Sequence, residues 1–204
     1  IGEFLPMDKI EQGISAAFVK LGATEACLMS AARGLMTTDL SHKLAGRRVK
    51  IGGKTVRIVG MAKGSGMIGP NMATMLCVVL TDAALEPEQA QQLLQSVANE
   101  TFNCVTVEGH TSTNDTMLML ANGAAVDQPP AGADWDTFAA AVKEVCEELA
   151  RAIAADGEGA GHVAPARLAR QAHLVRRRPR SRECQRLVGK PGEPRDFLAQ
   201  RSGL

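Results

Sequence analysis

Tyrosine is absent from this 204-residue chain, tryptophan occurs once, and aromatic residues make up 3% of it. That scarcity argues against a single-stranded nucleic-acid binder, which needs aromatic platforms for base stacking. No apolar run approaches the ~20 residues that cross a bilayer. The cysteines Cys27, Cys77, Cys104, Cys146 and Cys184 are odd in number and widely scattered, and no two have CxxC spacing. Their spacing indicates neither a zinc site nor a disulfide framework. Cys77, in a strand-like run, and Cys146, in a helical one, read as buried thiols, and a reducing cytoplasm is the expected compartment. No signal peptide is visible, but the chain opens on Ile1 rather than Met, so its first residues do not bear on targeting.

A net charge of +1 hides a division. Residues 1–160 hold 12 Lys and Arg against 19 Asp and Glu, whereas residues 161–204 hold 11 against 3. The two parts do not share one composition. The apolar fraction, 45%, suits a soluble globular fold, and the length suits one or two domains with a real core.

Apolar spacing outlines the elements. Residues 6–21 read as a helix with Ile10, Ile14, Phe18 and Leu21 on one buried face, Pro6 in the first turn and Gly22 at the stop. A second helix is expected over 24–33, with strand or loop at Met36–Asp39. Residues 47–60 read as a hairpin, Val49 and Ile51 facing Val56 and Ile58 across Gly52-Gly53-Lys54. Pro87 opens a helix with Ala90, Leu93, Leu94 and Val97 on its apolar side. Residues 104–107 and 116–121 are strand candidates flanking a polar segment, 110–115. The firmest helix covers 135–155, with Trp135, Phe138, Val142, Val145, Leu149 and Ile153 as its core stripe, Asp134 as cap and Gly157 at the stop. Strands alternating with helices predict an α/β class.

The stretch with chemical content is Met61-Ala-Lys-Gly-Ser-Gly-Met-Ile-Gly-Pro-Asn-Met-Ala-Thr-Met75, which runs into Leu76-Cys-Val-Val-Leu80. Its glycines permit positive φ and close approach, and Pro70 fixes its own φ. A hydroxyl, Thr74, therefore stands where a constrained loop meets a buried strand, a placement that suits a nucleophile. A threonine opening a strand is more often only a β-former.

The words Lys63-Gly-Ser-Gly-Met-Ile68, Pro70-Asn-Met-Ala-Thr-Met-Leu76 and Thr81-Asp-Ala83 resemble the self-cleaving core of the ornithine acetyltransferase family, the glutamate N-acetyltransferases of arginine biosynthesis. The resemblance implies a layered α-β-β-α sandwich of mixed sheets. It implies that the Ala73–Thr74 bond breaks autocatalytically and that Thr74 then carries the acetyl group. A freed α-amino group has a pKa of roughly 7.7–8.0, so one residue would supply both nucleophile and base. By the same resemblance Thr37, Lys63, Thr74 and Glu158 contact substrate. Without it, Thr37 reads as a hydroxyl bonding local backbone, Lys63 as a solvated loop lysine and Glu158 as part of an exposed turn. The run Ser112-Thr-Asn-Asp-Thr116 also matches, as support for the site through turn formation.

The implied reaction is a ping-pong transfer in which N-acetylornithine acylates Thr74, ornithine leaves and glutamate takes the acetyl group. No cofactor or metal is implied; some members also use acetyl-CoA as a substrate, which the sequence leaves open. The implied assembly is a heterotetramer of two α and two β chains, with neither membrane nor nucleic acid as partner. Residues 1–73 resemble the end of the family's α chain and 74–163 the start of its β chain. A Thr-Gly pair forming the oxyanion hole in the family would lie just before Ile1.

Residues 164–204 carry ten arginines, one lysine and four prolines, and lose hydrophobic periodicity. They are expected to be disordered and unrelated to the family, in a chain that is a fragment of doubtful activity of its own. Two other readings stay open: a related N-terminal-nucleophile aminopeptidase, and a non-enzymatic fragment whose basic tail binds a polyanion.

Overall fold

The computed structural model describes residues 4–65, 75–105 and 114–157. Two helices come first, α1 (Met7–Phe18) and α2 (Glu25–Leu35), then strands β1 (Lys43–Ile51), β2 (Lys54–Lys63) and β3 (Leu76–Ala83). Helix α3 (Pro87–Glu100), a single 3-10 turn at Phe102–Cys104, strand β4 (Thr116–Val126) and helix α4 (Ala133–Ala155) complete the order. The four strands form one mixed sheet in the order β1-β2-β3-β4. The β1/β2 and β2/β3 pairs are antiparallel and β3/β4 is parallel, with α3 in the crossover. The α/β class expected from the sequence is the one observed.

The β1–β2 turn is tighter than its sequence suggests. Ile51 pairs with Lys54, so only Gly52 and Gly53 turn, at φ 54° and 77°. Positive φ at both central residues is the backbone twist a two-residue hairpin needs, and glycine reaches it without strain. Val49 pairs with Val56 as expected, but Arg47, not Ile51, stands opposite Ile58.

One face of the sheet is packed. Val56, Ile58, Cys77 and Val79 meet the stripe of α4, where Phe138, Val142, Val145, Leu149 and Ile153 are all buried. Gly60 allows this contact: a Cβ there would lie 2.7 Å from both Val145 Cγ1 and Leu149 Cδ1. Arg47 ties β1 to α4 at the rim, its guanidinium donating to Glu144 Oε2 at 2.8 Å and to Glu148 Oε2 at 3.0 Å. The other face is most exposed along β4, while Met61 of β2 on that face is buried. Strand β3 alternates buried and half-buried positions, and the β3/β4 register puts Val78 beside Leu118 and Leu80 beside Leu120. Leu118 and Leu120 are 50% and 59% exposed.

Several sequence expectations shift. Helix α1 has the predicted periodicity but buries no residue: Ile14, Phe18 and Leu21 are all exposed, because no described element covers that stripe. Met36–Asp39 is loop rather than strand. Cys104 closes a 3-10 turn instead of opening a strand, and residues 106–107 lie outside the described set. Gly132, at φ 55°, precedes α4, and Asp134 does not cap the helix. Its Oδ2 accepts the Gly52 N–H at 2.8 Å and anchors the β1–β2 turn to the helix start. No described helix is long and apolar enough to cross a membrane.

Candidate active site

Thr74, Ala73 and Glu158, the expected nucleophile, cleavage partner and substrate-binding carboxylate, lie outside the described residues, as does the 164–204 tail. Thr37 and Lys63 lie within them. Thr37 is exposed on the loop after α2, and Lys63 ends β2 opposite Leu76 of β3.

Met75, the residue after Thr74, is held from two directions. Its N–H donates to Asp115 Oδ1 at 2.5 Å, and its carbonyl accepts the Thr116 N–H at 3.0 Å. The parallel pairing of β4 to β3 delivers both partners. Asp115 Oδ2 is buried without a hydrogen-bond partner among the described residues. Burial raises the Asp115 carboxyl above the usual carboxylate range, while the Met75 N–H and the charge of Lys63 pull the other way. Asp115 of the Ser112–Thr116 run thus holds the backbone at Met75, the second residue of the expected β chain.

Thr37 and Lys63 border a second polar centre that the sequence did not single out. Lys43, at the start of β1, is 2% exposed. Its ammonium donates to Asp39 Oδ1 at 2.7 Å, to Asp156 Oδ2 at 2.5 Å and to the Ser41 carbonyl at 3.3 Å, which uses its three protons. One cation between two carboxylates leaves negative charge in excess, and backbone donors offset it. Asp39 accepts the Gly64 N–H at 2.6 Å and the Thr37 N–H at 3.1 Å; Asp156 accepts the Leu40 N–H at 3.0 Å. Burial would push the Asp39 carboxyl up, but the Gly64 N–H, the Lys43 ammonium and the Thr37 N–H together hold it below the ordinary value. The Thr38 and Ser65 hydroxyls lie 2.9 Å apart beside it.

Asp39 and Asp156 each lie two positions from an expected substrate-contacting residue, Thr37 and Glu158, and carry no signal of their own in the sequence. Lys43 carries no signal, since a lysine opening a strand usually points to water.

Two described thiols, Cys77 and Cys146, are free and buried. The Cys77 thiol is pushed up to about 12 by burial, and burial together with neighbouring Cys77 raises Cys146 well above its ordinary value. Inert, protonated thiols are what such surroundings produce. No group of His, Cys, Asp and Glu among the described residues could hold a metal ion.

Comparison with known proteins gives the site its setting. The chain is 48% identical over 162 residues to the "Arginine biosynthesis bifunctional protein ArgJ" of Bacillus thuringiensis subsp. konkukian, an alignment covering 78% of this chain and 39% of that protein. It is 45% identical over 163 residues to the protein of the same name from Rhodopirellula baltica, covering 78% and 40%. A solved Burkholderia sp. beta-aminopeptidase is similar at a TM-score of 0.41 and 18% identity over 72% of this chain and 53% of that one, a likeness too slight to bear on function. The chain thus spans about two-fifths of the length of the curated relatives it matches. The pattern of the ArgJ family matches residues 1–174, and the chain belongs to that family.

Proposed function

We propose that this chain is the central part of a glutamate N-acetyltransferase that moves an acetyl group from N-acetylornithine to glutamate through Thr74. Membership of the ArgJ family supports this, as does the name arginine biosynthesis bifunctional protein carried by relatives at 45–48% identity. The structural observation that carries it is the double hold on Met75, since a nucleophile must sit on backbone fixed independently of substrate.

The chemistry has two stages. In the first, Thr74 Oγ attacks the Ala73 carbonyl carbon, the C–N bond breaks, and an ester and a free α-amine form. Water then hydrolyses the ester, leaving a carboxylate on Ala73 and the hydroxyl on Thr74. In the second stage the α-amine takes the Oγ proton as Oγ attacks the acetyl carbon of N-acetylornithine. Ornithine leaves with its amine protonated, and the amine of glutamate takes the acetyl group from the Thr74 ester. Lys63 holds the substrate α-carboxylate, and Glu158 and Thr37 add further substrate contacts. The assembly proposed is two α and two β chains in a cytoplasmic enzyme. The layered α-β-β-α sandwich belongs to the same proposal, with the exposed Leu118 and Leu120 turned toward the second sheet.

The test is an exchange assay in a chain of the relatives' full length carrying this segment. Release of ornithine only when glutamate is present to be acetylated, with fragments cut between Ala73 and Thr74 by mass, is the expected result. Hydrolysis of short peptides without acetyl exchange would establish the aminopeptidase reading instead.

A further inference from the structure

We propose that the buried Asp39–Lys43–Asp156 network is the positioning device that brings the substrate-binding segments together; this rests on the reading of Thr37, Lys63 and Glu158 above. Those three residues come from sites far apart in the chain, and no regular element connects them. The network does. Asp39 accepts the N–H of Thr37 itself and the N–H of Gly64, the residue after Lys63. Asp156 lies two positions before Glu158, and its carboxylate reaches back to the Leu40 N–H across 116 positions. Lys43 joins the two carboxylates. The loop after α2, the end of β2 and the end of α4 are therefore tied to one ammonium.

Stability alone gives a poor reason for such a centre. A buried ion network often contributes less than apolar side chains of the same volume, because desolvation cancels much of the attraction. Its return lies in fixing geometry: charged hydrogen bonds of this length leave little play. It is also separate from the hold on Met75, which runs through Asp115. Two grips through different carboxylates predict a separation of effects. Loosening the Lys43 network displaces substrate contacts, and loosening Asp115 displaces the nucleophile.

The first measurement is amide hydrogen exchange on the chain as it stands. Lys43→Met should speed exchange about tenfold or more at Thr37, Leu40 and Gly64 together, while the buried Leu93–Ala98 turn of α3, remote from the network, keeps its protection. Arg47→Met, which removes the rim ion pairs to Glu144 and Glu148, should leave all three amides unchanged. A rise in only one segment, or an equal rise in α3, overturns the proposal. Should Lys43→Met fail to fold, Asp156→Ala decides: it should free Leu40 and the end of α4 while Thr37 and Gly64, held by Asp39, change less. Loss of protection at all sites alike would again refute it.

The second measurement uses a chain of the relatives' full length. Asp156→Ala should raise KM for N-acetylornithine about tenfold or more, with kcat changed less than about threefold, because the contacts that shift bind substrate rather than react. An unchanged KM, or an equal fall in kcat, overturns the positioning role. Absence of acetyl transfer in the parent enzyme would refute the proposed function instead and leave the exchange result to stand.

Discussion

The Asp115 carboxylate takes the backbone N–H of Met75 at 2.5 Å from forty positions further along the chain, and its other oxygen is buried and unpaired among the described residues. The start of β3 is thus fixed by a group whose charge is poorly accommodated. Because the folded carboxyl lies above its ordinary value, its contribution to stability is present at pH below the unfolded value and is lost as pH rises through the folded one. Asp115→Asn, which can still accept the Met75 N–H, should therefore melt no lower than the parent at pH 7. The parent should gain on the variant as pH falls toward about 4. Melts followed by the single tryptophan, Trp135, measure this; a variant that falls further behind as pH rises would contradict it.

Asp39 gives the opposite sign. Its carboxyl lies below the ordinary value in the folded state, so its contribution is present above the unfolded pKa and is lost as pH falls through the folded one. Asp39→Asn should cost about 3–5 kcal/mol at pH 7, the usual loss when one partner of a buried ion pair is removed. Urea unfolding at pH 7 and again near pH 3.5 should show the gap between parent and variant narrowing at the lower pH. A gap independent of pH would place the loss in packing rather than charge.

Gly60→Ala should destabilise by about 1–3 kcal/mol, since the new methyl would lie 2.7 Å from two side chains of α4. Gly46→Ala on neighbouring β1 is the control. Its added Cβ would meet the nearest atom, the Ile58 carbonyl oxygen, at 3.5 Å, an ordinary contact. That change should stay within about 0.5 kcal/mol of the parent. Equal losses at both positions would show that α4 does not rest on Gly60.

Thr74→Ala in a chain of the relatives' length should abolish both the break after Ala73 and acetyl transfer, and Thr74→Ser should keep part of each because it retains a hydroxyl. Intact-mass measurement and ornithine release report the two separately. Cleavage that persists in the alanine variant would move the nucleophile to another residue.

Periodicity made the sheet and α4 legible, because Phe138, Val142, Val145, Leu149 and Ile153 repeat at a helical spacing and the strands carry β-branched runs. It misread α1, whose amphipathic stripe is genuine but lacks a partner among the described residues. A pattern of spacing reports that a face is apolar, not that something covers it. Asp134 has the residue type of a cap, yet the hairpin turn claims its carboxylate, a tertiary contact that local sequence cannot reveal. The site was legible only through the family words. The family pattern marks Thr37 and Glu158, while the carboxylates that hold those segments, Asp39 and Asp156, lie two positions from each. Lys43 was invisible because nothing in a sequence distinguishes a buried lysine from a solvated one.

A break between Ala73 and Thr74 would fall between β2 and β3, and those strands are joined by six consecutive cross-strand partners from Ile58–Thr81 to Lys63–Leu76. Helix α4, on the downstream piece, packs its stripe on β1 and β2 of the upstream one. The two products would then behave as complementing fragments sharing one core, not as subunits meeting at a surface. Neither could leave without exposing the strand edge and apolar face it shares with the other. Their separation would be an unfolding event, with a midpoint that falls as the complex is diluted because one folded body becomes two chains.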